Sequence, residues 1–220
     1  MNIDFPIRLA ELLAQPLPGW RAQADFQPEL SFGRHFGPPP VTARPAAVVV
    51  LLYPEAGQWY LPLTLRPETL ADHPGQISLP GGSLELGERG QDAALRELHE
   101  ELGVTAADVR MLGELSPLFL FNSNYQVSAW LAVADARPRW KPHAGEVAEL
   151  FEIPLAHLLD PANHAVQERT RWGIRSRCPG FSWGQHHIWG FTGMVLGEVV
   201  ALARQAGADF AALGRSTSTT

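Results

Sequence analysis

The sequence predicts an α+β fold in which helices pack on a mixed or antiparallel sheet. Segments with the pattern of a strand outnumber those with the pattern of a helix, and their order does not alternate as in a chain of βαβ units. The chain has 220 residues, of which 45% are hydrophobic, and this is enough for one sizeable core. We therefore expect one compact domain with elaborations.

The first 45 residues are predicted to be an N-terminal helix followed by an irregular arm. The helix is expected at about residues 6–15 and ends at a Pro-Gly pair. Residues 16–45 hold many Pro and Gly, including the run Gly37-Pro38-Pro39-Pro40, which favours irregular structure. The N-terminus lacks the basic start and long apolar segment of a secretory signal.

The main domain is expected to span residues 46–212 and to begin with a β-hairpin. Residues 46–54 are an uninterrupted apolar run, and residues 59–66 alternate after the turn-like sequence EAGQ. Further strands are predicted at 76–79, 109–115, 117–121, 125–134 and 147–153, and helices at 90–102, 155–159 and 190–206. Residues 213–220 are small and polar and are predicted to be a frayed tail.

Composition narrows the class of function. Seventeen Lys and Arg against 23 Asp and Glu give a net charge of −6, which argues against nucleic acid as the main partner. A phosphate-bearing substrate would need local Arg and Lys residues or a bound metal. The single cysteine, Cys178, cannot form an internal disulfide, and no apolar run is long enough for a membrane span. We expect a cytoplasmic protein.

The predicted helix at 90–102 crowds Glu97, Glu100 and Glu101 within about 100° of one another on a helical wheel. Leu95, Leu98 and Leu102 form the core stripe, and Ala93 shares the acidic sector and is expected to leave open space beside the carboxylates. Like charges at these spacings destabilise a helix by roughly 0.2–0.5 kcal/mol per pair. The plain explanation is a solvated acidic face, whereas oxygen ligands for Mg²⁺ or Mn²⁺ would give the crowding a use.

Residues 82–104 resemble the Nudix box, in which a Gly precedes a Glu, an Arg-Glu pair, a Glu-Glu pair and a final Gly at fixed spacings. The matching positions are Gly82, Glu88, Arg96, Glu97, Leu98, Glu100, Glu101, Gly103 and Val104. The resemblance implies an α/β/α sandwich around a mixed sheet. It also implies metal-dependent hydrolysis of a nucleoside diphosphate linked to a further group.

The same resemblance assigns roles to individual residues. Glu97, Glu100 and Glu101 are implied metal ligands, and Glu97 is also implied to orient or deprotonate the attacking water. Arg96 is implied to hold a carboxylate, with Glu88 reaching toward the same cluster. A carbonyl of Gly81 or Gly82 would complete the metal shell. The catalytic set is thus Glu97, Arg96, Glu101 and Glu146, and the metal set is Glu97, Glu100, Glu101, Gly81, Gly82 and Glu88.

The segment before the box resembles the signature of the coenzyme A pyrophosphatase branch of Nudix proteins. The matching positions are Leu63, Thr64, Arg66, Leu70, His73, Gly75, Gln76, Ile77, Ser78, Pro80, Gly81 and Gly82. Pro67 and Leu79 depart from it, since a Ser and a Phe are usual there. HHIWGFTGMVLGEVV at 186–200 resembles a helix start of the same branch. The branch implies cleavage of CoA or its derivatives to 3′,5′-ADP and 4′-phosphopantetheine or its acyl form.

The sequence allows both a functional and a structural role for several residues. Arg66, His73 and Gln76 are predicted substrate contacts, although Arg66 could be a surface charge and the other two could cap the loop. Glu146 is predicted to be an extra acidic ligand or base, and its plain explanation is the polar edge of a strand.

The aromatic and basic residues of the last third also keep two explanations. His186 and His187 are expected to be packing or surface residues, and Trp172, Trp183 and Trp189 to be core. The patch of Arg169, Arg171, Arg175 and Arg177 is either a site for the 3′-phosphate of CoA or a solvated loop.

Two rival functions remain open. One is a Nudix hydrolase acting on ADP-ribose, NADH or a dinucleoside polyphosphate, and the other is a non-catalytic Nudix-fold binding module. Such modules usually lose box glutamates, and all are present here. A homodimer, with residues 16–45 exchanged between subunits, is a further possibility.

Overall fold

The computed structural model describes residues 4–69, 75–171 and 173–207. Over these residues the chain forms an eight-stranded sheet, a separate three-stranded sheet and helices that cover the larger sheet. The predicted α+β class with a central mixed sheet is confirmed. Leu70, His73, Trp172 and the predicted tail at 213–220 lie outside the described residues.

The N-terminal segment packs on its own domain. Helix α1 (Phe5–Leu13) has Pro6 in its first turn, a position that lacks an intrahelical acceptor for an N–H group. Helix α2 (Trp20–Gln23) is followed by three short 3₁₀ turns, at Ala24–Phe26, Glu29–Ser31 and Arg34–Phe36. Phe5, Leu9 and Phe26 belong to the same hydrophobic cluster as the main sheet, so the predicted irregular arm is a packed layer.

The large sheet begins with the predicted hairpin of β1 (Arg44–Glu55) and β2 (Gln58–Leu65). Ala56 and Gly57 join them with φ angles of 46° and 77°, as in the tight turns that suit a hairpin. The other strands are β3 (Ile77–Ser78), β4 (Gly81–Ser83), β5 (Arg110–Glu114), β6 (Leu118–Leu120), β7 (Tyr125–Val133) and β8 (Glu149–Pro154).

The strand order of the large sheet is β3-β2-β1-β7-β5, with β4 on β1, β6 on β7 and β8 on β2. Strand β1 pairs with β7 in parallel, and the other pairings among the described strands are antiparallel. The sheet is therefore mixed, as the sequence predicts. No helix of the described residues is both long and apolar enough to cross a membrane.

Strand β1 is buried on both faces, and its alternating side chains enter two different cores. Val48, Val50 and Leu52 lie in the larger cluster, whereas Val49 and Leu51 lie in the smaller one. The smaller cluster is covered by α3 (Gly90–Leu102). The larger is covered by α1, α4 (Leu155–Leu159) and α5 (Gly190–Gln205). The sheet is thus sandwiched between two helical layers.

The second sheet, which the sequence analysis did not predict, consists of β9 (His164–Arg171), β10 (Ile174–Trp183) and β11 (His186–Trp189) in the order β11-β10-β9. The strand pairings of this sheet place the arginines of the predicted basic patch on different faces. Arg169 lies opposite Ser176, whereas Arg175 and Arg177 lie opposite Thr170 and Glu168. Because neighbours along a strand point to opposite faces, Arg169 is on one face of the sheet and Arg175 and Arg177 are on the other. The patch is therefore neither a loop nor one surface.

A buried carboxylate connects the N-terminal segment to the sheet and to α5. Glu198 in α5 is 0% exposed. Its Oε1 accepts from the backbone N–H of Gly19 at 3.0 Å and from Ser116 Oγ at 2.7 Å. Its Oε2 accepts from Gln23 Nε2 at 2.9 Å and from the Ser116 N–H at 3.1 Å. If this side chain were removed, the Gly19 N–H and both Ser116 donors would lose this acceptor, whereas Gln23 Nε2 would keep its bond to the Ser116 carbonyl at 3.1 Å.

Glu198→Ala is expected to reduce the free energy of unfolding by about 3 kcal/mol or more, because each buried donor left without an acceptor costs roughly 1–3 kcal/mol. Urea denaturation of the purified variant measures this loss. Glu11→Ala, an exposed position in α1, is the control and should change stability by less than about 0.5 kcal/mol. A Glu198→Ala protein as stable as the wild type would contradict the assigned network.

Candidate active site

Helix α3 lies close against β1 because small residues face the sheet. Ala93, Ala94 and Leu98 are each 0% exposed and pack in the smaller cluster with Val49 of β1. Ala93 was expected to border an open acidic sector, and that expectation is wrong. A helical wheel gives the direction of a side chain but not the distance to the neighbouring layer. Leu95, expected in the core stripe, is only half-buried.

The guanidinium of Arg96 lies at the centre of the acidic residues. Its Nη1 donates to Glu97 Oε1 at 2.8 Å and to Glu100 Oε2 at 2.9 Å. Its Nε and Nη2 donate to the two oxygens of Glu88 at 2.9 and 3.0 Å, and Nη2 also donates to the Ser83 carbonyl at 3.0 Å. These charge-assisted bonds offset the repulsion between the carboxylates. The hydrogen bonds from Arg96 also hold the pKa of Glu88 below its usual value.

Glu101 is the most buried of the three α3 glutamates, with 4% of its surface exposed. Burial raises its pKa to about 8, although the backbone N–H of Gly81 donates to the carboxylate and opposes the shift. Its Oε2 atom is buried and has no hydrogen-bond partner among the described residues. A buried carboxylate oxygen without a partner is costly unless a cation or another donor binds it.

Gly81 and Gly82 bring β4 against the carboxylates with no side chain between them. A Cβ atom on Gly82 would lie 2.2 Å from Glu97 Oε1, and one on Gly81 would lie 2.3 Å from the Ala47 carbonyl oxygen. Gly81, which has a φ angle of 157° and would meet backbone atoms, therefore requires glycine in this packing, whereas a Cβ at Gly82 would displace the Glu97 carboxylate. Glu97 is half-buried here, and burial raises its pKa, with the hydrogen bond from Arg96 opposing the shift.

The donor set fits a hard divalent cation in its chemistry. Carboxylate and carbonyl oxygens are the ligands that Mg²⁺ and Mn²⁺ prefer, and the orphan oxygen of Glu101 belongs to such a set. Across the residues that the structure describes, no three carboxylate, imidazole or thiolate groups already converge to hold a metal. In this conformation Glu97 and Glu100 are instead turned toward Arg96. Binding of a cation by all three would therefore require Glu97 and Glu100 to rotate away from Arg96.

Glu146 lies in the segment 135–148, which folds over the C-terminal end of α3. The N–H groups of Lys141 and His143 donate to the carbonyls of Leu102 and Glu101, each at 2.8 Å. Burial is the main cause of the raised pKa values of Glu97 and Glu101, and the charge of Glu146 adds to both. The structure thus brings Glu146 to the carboxylate site.

Glu152, which the sequence did not mark as important, connects the segment 135–148 to the sheet. Glu152 of β8 accepts from Tyr53 at 2.6 Å, from Trp140 Nε1 at 2.9 Å and from the Arg137 guanidinium. Burial raises the pKa of Glu152, but these hydrogen bonds outweigh it and bring the pKa to about 2. No motif marks the interaction, because its members come from β1, β8 and the segment between β7 and β8.

Arg66 and Gln76 are adjacent at the edge of the site. The Arg66 N–H donates to the Gln76 carbonyl at 3.0 Å, and the Gly75 N–H donates to the Arg66 carbonyl at 3.1 Å. The pKa of Glu101 depends most on burial, then on the Gly81 hydrogen bond and on the charge of Glu97. The positive charge of Arg66 is the next contribution, and it lowers this pKa. Arg66 is therefore near enough for its charge to act on Glu101, Gln76 is its backbone neighbour, and His73 lies outside the described residues.

A cavity of about 290 Å³ adjoins Gln76 on the side of the second sheet. Its wall includes Arg169, His186, His187 and Trp189. The Arg169 guanidinium lies 4.2 Å from the centre of the Trp189 ring. Trp189 is only half-buried, so the expectation that it is a core residue is wrong. His187 is 8% exposed and His186 packs at 4.9 Å on Phe151, as expected for packing residues.

Comparisons with known proteins agree with this geometry. A NUDIX domain family model matches residues 43–172. Mitochondrial coenzyme A diphosphatase NUDT8 of Homo sapiens is 36% identical over 161 residues, which are 70% of this chain and 67% of that protein. An uncharacterized Nudix hydrolase NudL of Yersinia pestis (strain Pestoides F) is 35% identical over 159 residues, 70% of this chain and 77% of that protein.

A solved structure shares the fold. The crystal structure of a MutT/nudix family protein from Enterococcus faecalis gives a TM-score of 0.50 at 16% identity. The match covers 77% of this chain and 65% of that chain. At this identity the likeness concerns the fold alone, and it agrees with the sandwich around a mixed sheet that the sequence predicts.

The Glu152 network predicts how stability depends on pH. The folded pKa of about 2 lies below the ordinary value of 4.5, so the network stabilises the protein above pH 4.5 and loses this effect as pH falls toward 2. Glu152→Gln is expected to cost roughly 1–3 kcal/mol at pH 7 and much less at pH 3. Urea denaturation at both pH values measures the difference.

Glu149→Gln is the matched control for this test, since Glu149 lies exposed on the same strand. It should leave stability unchanged at both pH values. If Glu152→Gln cost the same free energy at pH 3 as at pH 7, the network would not be the source of a lowered pKa.

Proposed function

Because the chain belongs to the Nudix family, we propose that it hydrolyses the pyrophosphate bond of coenzyme A and its derivatives. The products would be 3′,5′-ADP and 4′-phosphopantetheine or its acyl form. The cofactor is Mg²⁺ or Mn²⁺, and the proposed compartment is the cytoplasm. The substrate is a small molecule, in keeping with the acidic net charge of −6.

The observation that carries the proposal is the buried Oε2 of Glu101 beside the two glycines of β4, for which the described residues provide no hydrogen-bond partner. Glu97 and Glu100 lie on the same side of α3, one turn or less away. A divalent cation there would satisfy the orphan oxygen and offset the charge of three carboxylates. It would also supply the positive charge that the protein as a whole lacks.

When bound, the metal would lower the pKa of a water molecule and offset charge on the diphosphate oxygens. Glu97, Glu100 and Glu101 are the residues that would hold it, with a carbonyl of Gly81 or Gly82. Glu97 is proposed to orient the attacking water and accept its proton; burial raises its pKa above the ordinary value. Glu146 is a second acidic group at the same site.

Arg96 pairs with Glu97 and Glu100 in this conformation, and both carboxylates would turn from it to bind a cation. With Glu88 it forms a two-bond ion pair at 2.9 and 3.0 Å, which anchors the guanidinium from the loop before α3. From that anchor it reaches Glu97 and Glu100. Glu88 was proposed from the sequence as a metal ligand. In this conformation both of its carboxylate oxygens accept hydrogen bonds from Arg96, so its contacts favour a role in positioning Arg96.

The choice of coenzyme A is supported by the relative NUDT8, whose name describes a coenzyme A diphosphatase, and by the signature before the box. Within that signature the positive charge of Arg66 acts on Glu101, and we propose that Arg66 binds a substrate phosphate. Gln76 is bonded to it through the backbone. We keep His73 as a proposed substrate contact from its place in the signature.

Mass-spectrometric product analysis tests this proposal. Purified protein with Mg²⁺ or Mn²⁺ is incubated with CoA, acetyl-CoA, ADP-ribose, NADH and a dinucleoside polyphosphate. We expect 3′,5′-ADP and phosphopantetheine from CoA, with the highest kcat/KM in the panel. The Glu97→Gln variant should lose at least about 100-fold in kcat, because a general base contributes roughly 10²–10⁴-fold.

The control is Glu85→Gln, an exposed glutamate in the loop before α3, which should retain wild-type rates. If another diphosphate were cleaved and CoA left intact, the metal-binding role of α3 would stand and CoA would be refuted as the substrate. No cleavage of any substrate would favour a binding module.

A further inference from the structure

The cavity beside Gln76 is placed to receive one end of the proposed substrate. It lies between the segment Gly75–Ile77 and the second sheet, and its volume is about 290 Å³. Backbone hydrogen bonds join Gly75 and Gln76 to Arg66, whose charge acts on Glu101. One wall of the cavity is therefore continuous with the edge of the carboxylate site. The other wall includes Arg169, which lies in none of the matched sequence segments.

The electrostatic character of the cavity differs from that of the carboxylate site. Arg169 lines it, and none of the described residues along its wall is an aspartate or glutamate. Stacking on Trp189 at 4.2 Å supports one face of the guanidinium and leaves its N–H edge available to a ligand. Within the described part of the chain no carboxylate forms an ion pair with Arg169. An anion is thus the favoured occupant.

A buried imidazole gives an independent indication of a ligand. His187, 8% exposed, lines the cavity, and its Nδ1 is buried with no hydrogen-bond partner among the described residues. Its Nε2 lies 3.4 Å from the Ala165 carbonyl, so in the neutral ring Nε2–H donates and Nδ1 is left as an acceptor. Burial lowers the pKa of His187 and favours this neutral form. A ligand hydroxyl could donate to Nδ1.

A cationic guanidinium and a neutral acceptor in one cavity match a ribose phosphomonoester. The phosphate would accept from Arg169, and the neighbouring ribose hydroxyl would donate to His187. Arg175 and Arg177 of the same hairpin do not compete, because they lie on the opposite face of the sheet. Arg175 also lies 3.5 Å from Glu168 on that face.

We infer that this cavity binds the ribose 3′-phosphate of the nucleotide half of the substrate, with Arg169 as the residue that selects for it. The inference rests on the proposed function and adds a specificity determinant to it. An Arg169 contact of this kind separates substrates that carry the 3′-phosphate from otherwise identical substrates without it.

Binding of the product nucleotide tests the inference apart from catalysis. Isothermal titration calorimetry compares 3′,5′-ADP with 5′-AMP for the wild type, Arg169→Gln and the control Arg175→Gln. We expect the wild type and Arg175→Gln to bind 3′,5′-ADP roughly 10- to 100-fold more tightly than 5′-AMP, as for a hydrogen bond to a charged group. Arg169→Gln should bind the two nucleotides equally.

Hydrolysis gives the second readout. Arg169→Gln should raise KM for CoA by about the same factor, leave KM for 3′-dephospho-CoA unchanged and leave kcat for both substrates near wild type. The assignment of Arg169 would be overturned if Arg169→Gln and Arg175→Gln preferred 3′,5′-ADP over 5′-AMP by the same factor. It would also be overturned if Arg169→Gln lost affinity for both nucleotides equally. If 3′,5′-ADP is preferred through Arg169 but CoA is not cleaved, the cavity is assigned correctly and the proposed function fails.

Discussion

The burial of Glu101 between α3 and β4 is the constraint on which the rest of the site depends. Small side chains on α3 let the helix approach β1, and this approach leaves the carboxylate 4% exposed. Burial raises its pKa to about 8 and so favours the neutral form of this carboxyl group. The fold thus keeps a destabilising group in place, as is common where function requires it.

The surrounding residues offset the cost of burying the Glu101 carboxylate. Gly81 and Gly82 give the carboxylates room, and the Gly81 N–H bonds to Glu101. Arg96 pairs with Glu97 and Glu100 and is itself anchored by Glu88. On the far side, the segment that carries Glu146 is held to the end of α3 by backbone bonds and to the sheet by Glu152. The acidic residues are therefore held by hydrogen bonds from several elements.

Much of this could be predicted from local pattern. The helix predicted at 90–102 is α3 with the same bounds, and the paired strands at 46–54 and 59–66 form the observed hairpin. Local periodicity is enough for such elements. It could not give the depth of Glu101 or the burial of Ala93, because these depend on how closely two layers approach.

The parts that escaped prediction depend on distant or polar interactions. Strands β9 and β10 carry many charged residues, and in β10 the buried positions near the turn, Ser176 and Cys178, are not the apolar ones that mark a strand. The Glu198 network joins positions separated by up to 179 residues. The cavity with Arg169 and His187 likewise forms only when the second sheet packs beside β3.

The most direct test of the central claim is a Mn²⁺ titration of the wild type and Glu101→Gln by electron paramagnetic resonance. Gln has nearly the shape of Glu but cannot carry the charge, so the account predicts a fold intact by thermal unfolding and at least a tenfold loss of Mn²⁺ affinity. Glu11→Gln should bind as the wild type does. Equal Mn²⁺ affinity in wild type and Glu101→Gln would contradict the account.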